Sequence, residues 1–217
     1  MIIVSAIIPP KTALDGQYCR LEPLDAALHG DDLFAEIVGQ ESERLHRYLF
    51  EAPPTRPVFD AWLLASVQSA DPLFFAVINK STGRAAGRQA FMRITPEHGT
   101  IEIGNILWGP SIAGTRIATE ALYLHAKHAF ELGYRRFEWK CNNANEPSKR
   151  AAIRFGFQFE GVFRQHMVAK GLNRDTAWYS MLDSEWPVLK AAYDAWLDPA
   201  NFNDAGQQKA ALATPRC

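Results

Sequence analysis

The sequence predicts an α+β fold, a mixed and mostly antiparallel sheet of about six to seven strands with helices on both faces. Three observations carry that prediction. Between Leu73 and Trp108, β-rich apolar runs alternate with tight-turn residues, the pattern of an antiparallel meander. From Arg116 the hydrophobic period changes from two to about 3.6, so a helix follows the meander. A further strand run, Arg136–Cys141, comes directly after that helix, and a strand–helix–strand crossover makes the two flanking strands parallel.

Each element has its own signal. Tyr18–Pro23 reads as a first strand, followed by a helical region from Asp25 to about Tyr48. The run EAPPTRP (Glu51–Pro57) breaks it, because proline lacks a donor and biases its predecessor away from the helix. A second helix spans about Val58 to Ser69. Leu73–Asn79, Ala85–Ile94 and Thr100–Trp108 are the meander strands, turning at Lys80–Gly83 and Pro96–Gly99. In Arg116–Leu132 the residues Arg116, Glu120, Tyr123, Lys127 and Glu131 form one stripe, expected to be exposed, with Ala118, Ala121, Leu122, Ala129 and Phe130 largely opposite. Glycine at 133 caps that helix. A short helix follows Asn145, placing Ser148, Ala151, Ala152 and Phe155 on one face, and ends at Gly156. Phe157–Lys170 and Arg174–Leu182 form a hairpin expected to turn at Gly171-Leu172-Asn173. Glu185–Leu197 makes the last amphipathic helix, and Asp198–Cys217, without periodicity, reads as a loosely held tail.

The chain has 217 residues, with 23 basic and 24 acidic side chains. That length suits a single domain, with residues 18–183 as its core. An apolar content of 47% excludes disorder for most of it. Balanced charge argues against a nucleic-acid partner and against a membrane surface; a polyanion would need a local site. Cys19, Cys141 and Cys217 form no metal-ligand cluster, so no metal is expected and the thiols suit a reducing cytoplasm. The apolar start MIIVSAIIPP lacks a basic region and is too short for a signal or a span, so a cytoplasmic location is expected.

The chemically informative segment is Gly109–Ala121, GPSIAGTRIATEA, between a strand and the helix it feeds. A glycine-containing turn that opens a helix leaves N–H groups pointing outward at the positive end of the dipole, a site for phosphate. An ordinary loop has the same composition. It is neither a Walker loop nor GxGxxG.

In the order of its parts the chain resembles the GNAT acetyltransferase superfamily, in particular its RimJ/RimL-type branch. The resemblance runs from about Tyr18 to Leu182. It is carried by EIGNILWGP (Glu102–Pro110), GTRIATEAL (Gly114–Leu122), ELGYRR (Glu131–Arg136), NEPSKRAAIRFGFQFEG (Asn145–Gly161) and KGLNRDTAWYS (Lys170–Ser180). It implies acetyl-CoA as co-substrate and, as acceptor, a primary amine of a small molecule or a protein N-terminus. It also implies a splayed parallel strand pair that holds CoA. The pantetheine arm would meet Ile106, Leu107 and Trp108, and the pyrophosphate the N–H groups of Gly114, Thr115, Arg116, Ile117, Ala118 and Thr119. Asn145 is by this resemblance a ligand of a pantetheine amide, or by its position simply a helix cap. A homodimer is implied on the same ground.

Three positions depart from the family pattern: Ala113 stands for Gln/Arg, Arg116 for a glycine, and Ala152 for a tyrosine that serves as acid to the thiolate. Arg116 is either a phosphate-pairing guanidinium or the first residue of the helical stripe. Ser148 is the substitute acid, or a small residue in a first helical turn. Glu102 is the expected general base, since an ammonium must lose a proton before it attacks; a solvated strand carboxylate is the alternative. His166 and Tyr179 are candidates for the acceptor pocket, with core packing as the other reading for both. Glu36, Glu41, Glu43 and Glu51 make the first helical region acidic, which suits a cationic amine or a solvated face equally. The alternative to turnover is a non-catalytic CoA- or acyl-CoA-binding module of the same fold.

Overall fold

The structure, a computed structural model, describes residues 5–214. Met1 to Val4 of the apolar start and the Cys217 thiol lie outside the described residues.

Eight strands form one sheet in the order β1-β2-β3-β4-β5-β6-β8-β7. They are β1 (Leu14–Asp15), β2 (Cys19–Pro23), β3 (Leu73–Asn79), β4 (Arg84–Thr95), β5 (Thr100–Trp108), β6 (Arg136–Asn142), β7 (Gln158–Ala169) and β8 (Leu172–Leu182). The strand beyond the predicted number is β1, two residues long and too short to leave a pattern. All neighbours are antiparallel except β5 and β6, which are parallel.

Strand alternation sends side chains into two cores. On one face Phe75, Phe91, Ile101, Ile103 and Phe137 pack with α4 (Arg116–Glu131), α5 (Glu146–Arg154) and α6 (Trp186–Leu197). On the other, Phe74, Ala76, Ala90 and Leu107 pack with Leu33 and Ile37 of α1 (Ala26–Ile37) and Phe59 and Leu63 of α3 (Arg56–Gln68). Among the described residues no helix is long and apolar enough to cross a membrane.

Four expectations are corrected. The predicted Asp25–Tyr48 helix is two: α1 stops at Ile37, Gly39 takes a left-handed φ of +97°, and α2 (Ser42–His46) begins anew. The hairpin turns one residue earlier than expected, at Lys170 and Gly171, whose φ values of 51° and 76° suit a two-residue turn between Ala169 and Leu172. The stripe on α4 is exposed at its C-terminal end, at Glu131, and half-exposed at Arg116 and Lys127, but it is buried at Glu120 and Tyr123. Glu120 is only 3% exposed, because its carboxylate accepts the N–H groups of Gln17, Tyr18 and Cys19 at 2.6–2.7 Å, and Tyr123 is covered by Trp186 and Tyr193 of α6. The tail is not loose as far as Thr214: Phe202 packs edge-on against Trp196 at 5.1 Å, and Asn201 ties residues 196 and 210 together through its amide.

The site is positioned by one irregularity. Parallel pairing joins Thr100–Ile103 to Arg136–Trp139 and goes no further. At that point β5 carries a bulge against β4, with Asn105 in the left-handed region at φ +50°. A bulge bends its strand and raises its local twist. The β6-facing edge of Gly104–Trp108 is thus left without a strand partner, and a cleft opens between β5 and β6.

Candidate functional site

The cleft has a volume of about 570 Å³ and is lined by both splayed strands, the start of α5, the β7–β8 hairpin and the segment 44–50 after α1. A second hollow of about 740 Å³ lies at the N-terminus of α4. Trp108 and Ala151 line both.

In the second hollow Gly114 has a φ of +75°, which glycine adopts without strain. Thr115 caps α4: its Oγ1 accepts the Ile117 N–H at 3.2 Å while donating to the Ile112 carbonyl at 2.7 Å. The N–H groups of Gly114, Arg116 and Ala118 have no protein acceptor among the described residues. Of the six residues expected to hold a pyrophosphate, Gly114, Thr115, Arg116, Ala118 and Thr119 line the hollow, and Ile117 packs against the core instead. The guanidinium of Arg116 lies 4.3 Å from the Tyr18 ring centroid and 5.1 Å from that of Phe202, with no carboxylate partner among the described residues. Arg154, which the sequence reading missed, faces the same hollow from α5. Its Nη1 donates to Thr119 Oγ1 at 3.1 Å, its guanidinium lies 5.1 Å from the Trp196 ring, and it too lacks a carboxylate there. The far wall is the C-terminal segment Phe202 and Ala205–Gln208. Only one i,i+4 step separates Arg150 from Arg154, so sequence alone offers no way to choose between them.

In the cleft, Glu102, Ile106, Leu107, Trp108, Asn145, Ser148 and His166 come together as expected. Leu107 does so through its backbone, its side chain being part of the α1–α3 core. Asn145 is the helix cap, its Oδ1 accepting the Ser148 N–H at 3.2 Å, which leaves its amide N–H groups free for a ligand. Ser148 Oγ accepts the Trp139 indole N–H at 3.1 Å, so its own O–H is available to donate, beside the buried Cys141 thiol that also lines the cleft. His166 Nδ1 is 3.0 Å from Thr176 Oγ1.

Glu102 is buried, not solvated. Its Oε2 lies 2.9 Å from Lys140 Nζ and 3.0 Å from Arg93 Nε, and Lys140 is also 2.7 Å from Glu138 and 3.7 Å from the Trp178 ring centroid. Burial pushes its pKa up, and the two cations offset this only in part. Lys140 and Arg93 are further residues that sequence reasoning did not find. The alternation of Glu138 and Lys140 on β6 put them on one face, but the register that brings Glu102 to them is a property of the parallel pairing.

Tyr179 does not face the acceptor side. It pairs directly with Trp139 and packs on Phe159 at 5.3 Å, on the face opposite Glu102 and Lys140. Nor do the acidic residues before residue 52 reach the cleft. Glu36 is bonded to Ser111, Glu41 to Arg44 and Glu51 to Arg88, and the charged residues lining the cleft from that region are Arg44 and Arg47.

A family profile described as "Acetyltransferase (GNAT) domain" matches residues 19–158. An uncharacterized N-acetyltransferase, p20, of Bacillus licheniformis is 34% identical over 113 residues, which is 52% of this chain and 63% of that relative's length. The crystal structure of a GCN5-related N-acetyltransferase from Brucella melitensis is 58% identical with a TM-score of 0.94, covering 96% of this chain and 95% of that one. An acetyltransferase from Salmonella typhimurium that modifies the N-terminal serine of ribosomal protein L7/L12 is similar in fold alone: 20% identity and a TM-score of 0.68, over 78% of this chain and 98% of that one.

Proposed function

The chain belongs to the GNAT acetyltransferase family, and from that premise we propose that it moves the acetyl group of acetyl-CoA to a primary amine by direct attack in a ternary complex. The observation that carries this reading is the continuity of two half-sites: unpaired N–H groups at the α4 N-terminus lead past Trp108 into a cleft walled by an unpartnered strand edge and ending at Glu102.

The residues fit the co-substrate. Gly114, Arg116 and Ala118 offer N–H groups to a pyrophosphate, and Arg116 and Arg154 offer unpaired guanidinium groups to phosphate oxygens. The free edge of Gly104–Trp108 and the Asn145 amide suit the alternating amides of a pantetheine arm. Acetyl-CoA supplies a thioester, whose C–S bond breaks as the N–C bond forms. Glu102 takes the proton of the ammonium, and the positive field of Lys140 and Arg93 eases its loss. Ser148, one of its lone pairs occupied by Trp139, directs its O–H toward the sulfur as that atom takes up the bonding electron pair; the nitrogen releases its second proton to solvent as the amide forms, and the thiolate gains one from solvent.

The test is thermal unfolding with millimolar CoA and acetyl-CoA, then thiol release with a panel of amines. A ligand at a hundred times its Kd adds about 2.7 kcal/mol, a rise of about 5–10 °C for a domain of this size. Absence of a shift overturns the reading. A shift without thiol release from any amine replaces it with a non-catalytic acyl-CoA-binding module, which the alanine at 152 would then explain.

A further inference from the structure

Five cationic side chains line the cleft, Arg44, Arg47, Arg93, Lys140 and Arg174, against a single carboxylate, Glu102. Arg44 is paired with Glu41, and Arg93 and Lys140 share Glu102. Arg174 is different. Its residue is only 9% exposed, it has no carboxylate within ion-pair distance among the described residues, and its Nε is buried with no hydrogen-bond partner. Its guanidinium lies 4.8 Å from the Phe50 ring centroid, and it stands opposite Met167 across the β7–β8 hairpin, near His166 and Thr176. Burial works against its charge. A guanidinium withdrawn from water without an anion is an expensive arrangement, and native structures rarely leave such a donor unsatisfied. A ligand that supplies the missing anion resolves it.

Resting on the acetyl-transfer reading above, we propose that the acceptor amine also carries a carboxylate, and that Arg174 binds that carboxylate. The phosphates of CoA are not candidates for this role, since the hollow that suits them lies at the α4 N-terminus with Arg116 and Arg154. A planar guanidinium with its fork unoccupied matches a carboxylate in a bidentate pair. The field of the cleft points the same way: Glu41, Glu102 and Glu138 offset three of the five cations, and the net positive charge that remains disfavours a simple ammonium or a polyamine, while a zwitterion brings its own compensating charge. Two sources share this chemistry, a free amino acid through its α-carboxylate and a peptide through an acidic N-terminal side chain.

The experiment compares acids with their neutral amides on the full chain. One arm uses amino acids against amino-acid amides; the other uses short amidated peptides beginning with Asp or Glu against those beginning with Asn or Gln. Each is measured by thiol release with wild type, Arg174→Gln and Arg174→Lys. In one arm, wild type is expected to prefer the acid by about 30-fold or more in kcat/KM, in line with loss of a buried charge pair. Arg174→Gln should erase that preference by raising KM for the acid alone, with the CoA-induced thermal shift retained, and Arg174→Lys should restore part of it. Equal rates for acids and amides in both arms with wild type overturn the proposal, whatever the variants do. Should no amine be acetylated, calorimetric titration of N-acetylglycine and N-acetylglutamate against their amides decides separately. Carboxylate-dependent binding lost in Arg174→Gln sustains the Arg174 assignment while the turnover reading falls, and no binding overturns both.

Discussion

Glu102 sits in a pocket that both buries it and surrounds it with cations, and these effects oppose each other in its ionisation. Burial, the larger influence, favours the protonated acid; Lys140 and Arg93 hold enough negative charge on it for it to accept a proton. In the proposed reaction the ionised form is the active one, so kcat/KM should rise with pH on a limb lying above the ordinary carboxylate range. Glu102→Gln should lower kcat by about 10²–10⁴-fold and abolish that limb, as a pH–rate profile of both proteins would reveal. Glu120 is the contrasting carboxylate. Three backbone N–H groups of the β1–β2 turn end on it, and Glu120→Ala would leave all three without their acceptor, that of Cys19 in a buried position and those of Gln17 and Tyr18 partly buried. At about 1–3 kcal/mol for a buried group left unsatisfied, the urea midpoint should fall by the equivalent of about 1–3 kcal/mol, with acetyl-CoA affinity little changed. Its place on the helix was legible from the sequence, but its burial was not. A helical stripe of polar residues reads as solvent-facing unless one knows that another segment of chain lies across it.

At the level of elements, the local signals were strong where one residue type dictates the backbone. β3 and β5 begin and end where alternation and turn residues said they would, and Asn145 caps the helix it precedes. What was not legible is contact between distant segments. Segment 199–214 lacks a hydrophobic period, and it is held by scattered anchors, Phe202 on Tyr18 and Trp196, Gln208 on the Trp196 indole N–H, and Leu212 in the core. By its position this segment forms a wall of the hollow at the α4 N-terminus and a lid on the Arg116 guanidinium. Phe202→Ala removes both an anchor and a cation–π partner. The expected result is an acetyl-CoA Kd raised by about 5–30-fold, the range for a lost contact of about 1–2 kcal/mol, with kcat at saturating donor near that of wild type. Calorimetry on the CoA complex reads this directly, and an unchanged Kd would remove the tail from the binding site.

Across the whole molecule, a buried polar chain joins the cleft to the helix beneath it. The Trp108 indole N–H donates to Gln89 Oε1 at 2.9 Å, and Gln89 Nε2 donates to the Ala121 carbonyl at 2.8 Å and to His125 Nδ1 at 2.9 Å. Gln89 reaches α4 from the bulge that also splays the sheet. His125 is fully buried between Phe91 and Phe75, at 4.1 and 4.9 Å between ring centroids, and accepts the Gln89 proton in its neutral form. Burial therefore lowers its pKa well below the ordinary 6.5, and burial acts in the same direction on His128 one turn on. The sign follows by linkage. Between the folded and unfolded pKa values only the unfolded chain binds the proton, so the stability is complete above about pH 6.5 and is lost as pH falls below it. A full proton of difference costs about 1.4 kcal/mol per pH unit. Unfolding in urea from pH 7.5 downward should thus show stability falling from near neutrality, well before carboxylates protonate. His125→Phe keeps an aromatic ring between Phe75 and Phe91 and leaves Gln89 its bonds to Trp108 and Ala121, and it should flatten the pH 5–7 part of that curve. An unaltered slope in that variant would mean that the acid sensitivity arises elsewhere and that this chain of hydrogen bonds contributes nothing to it.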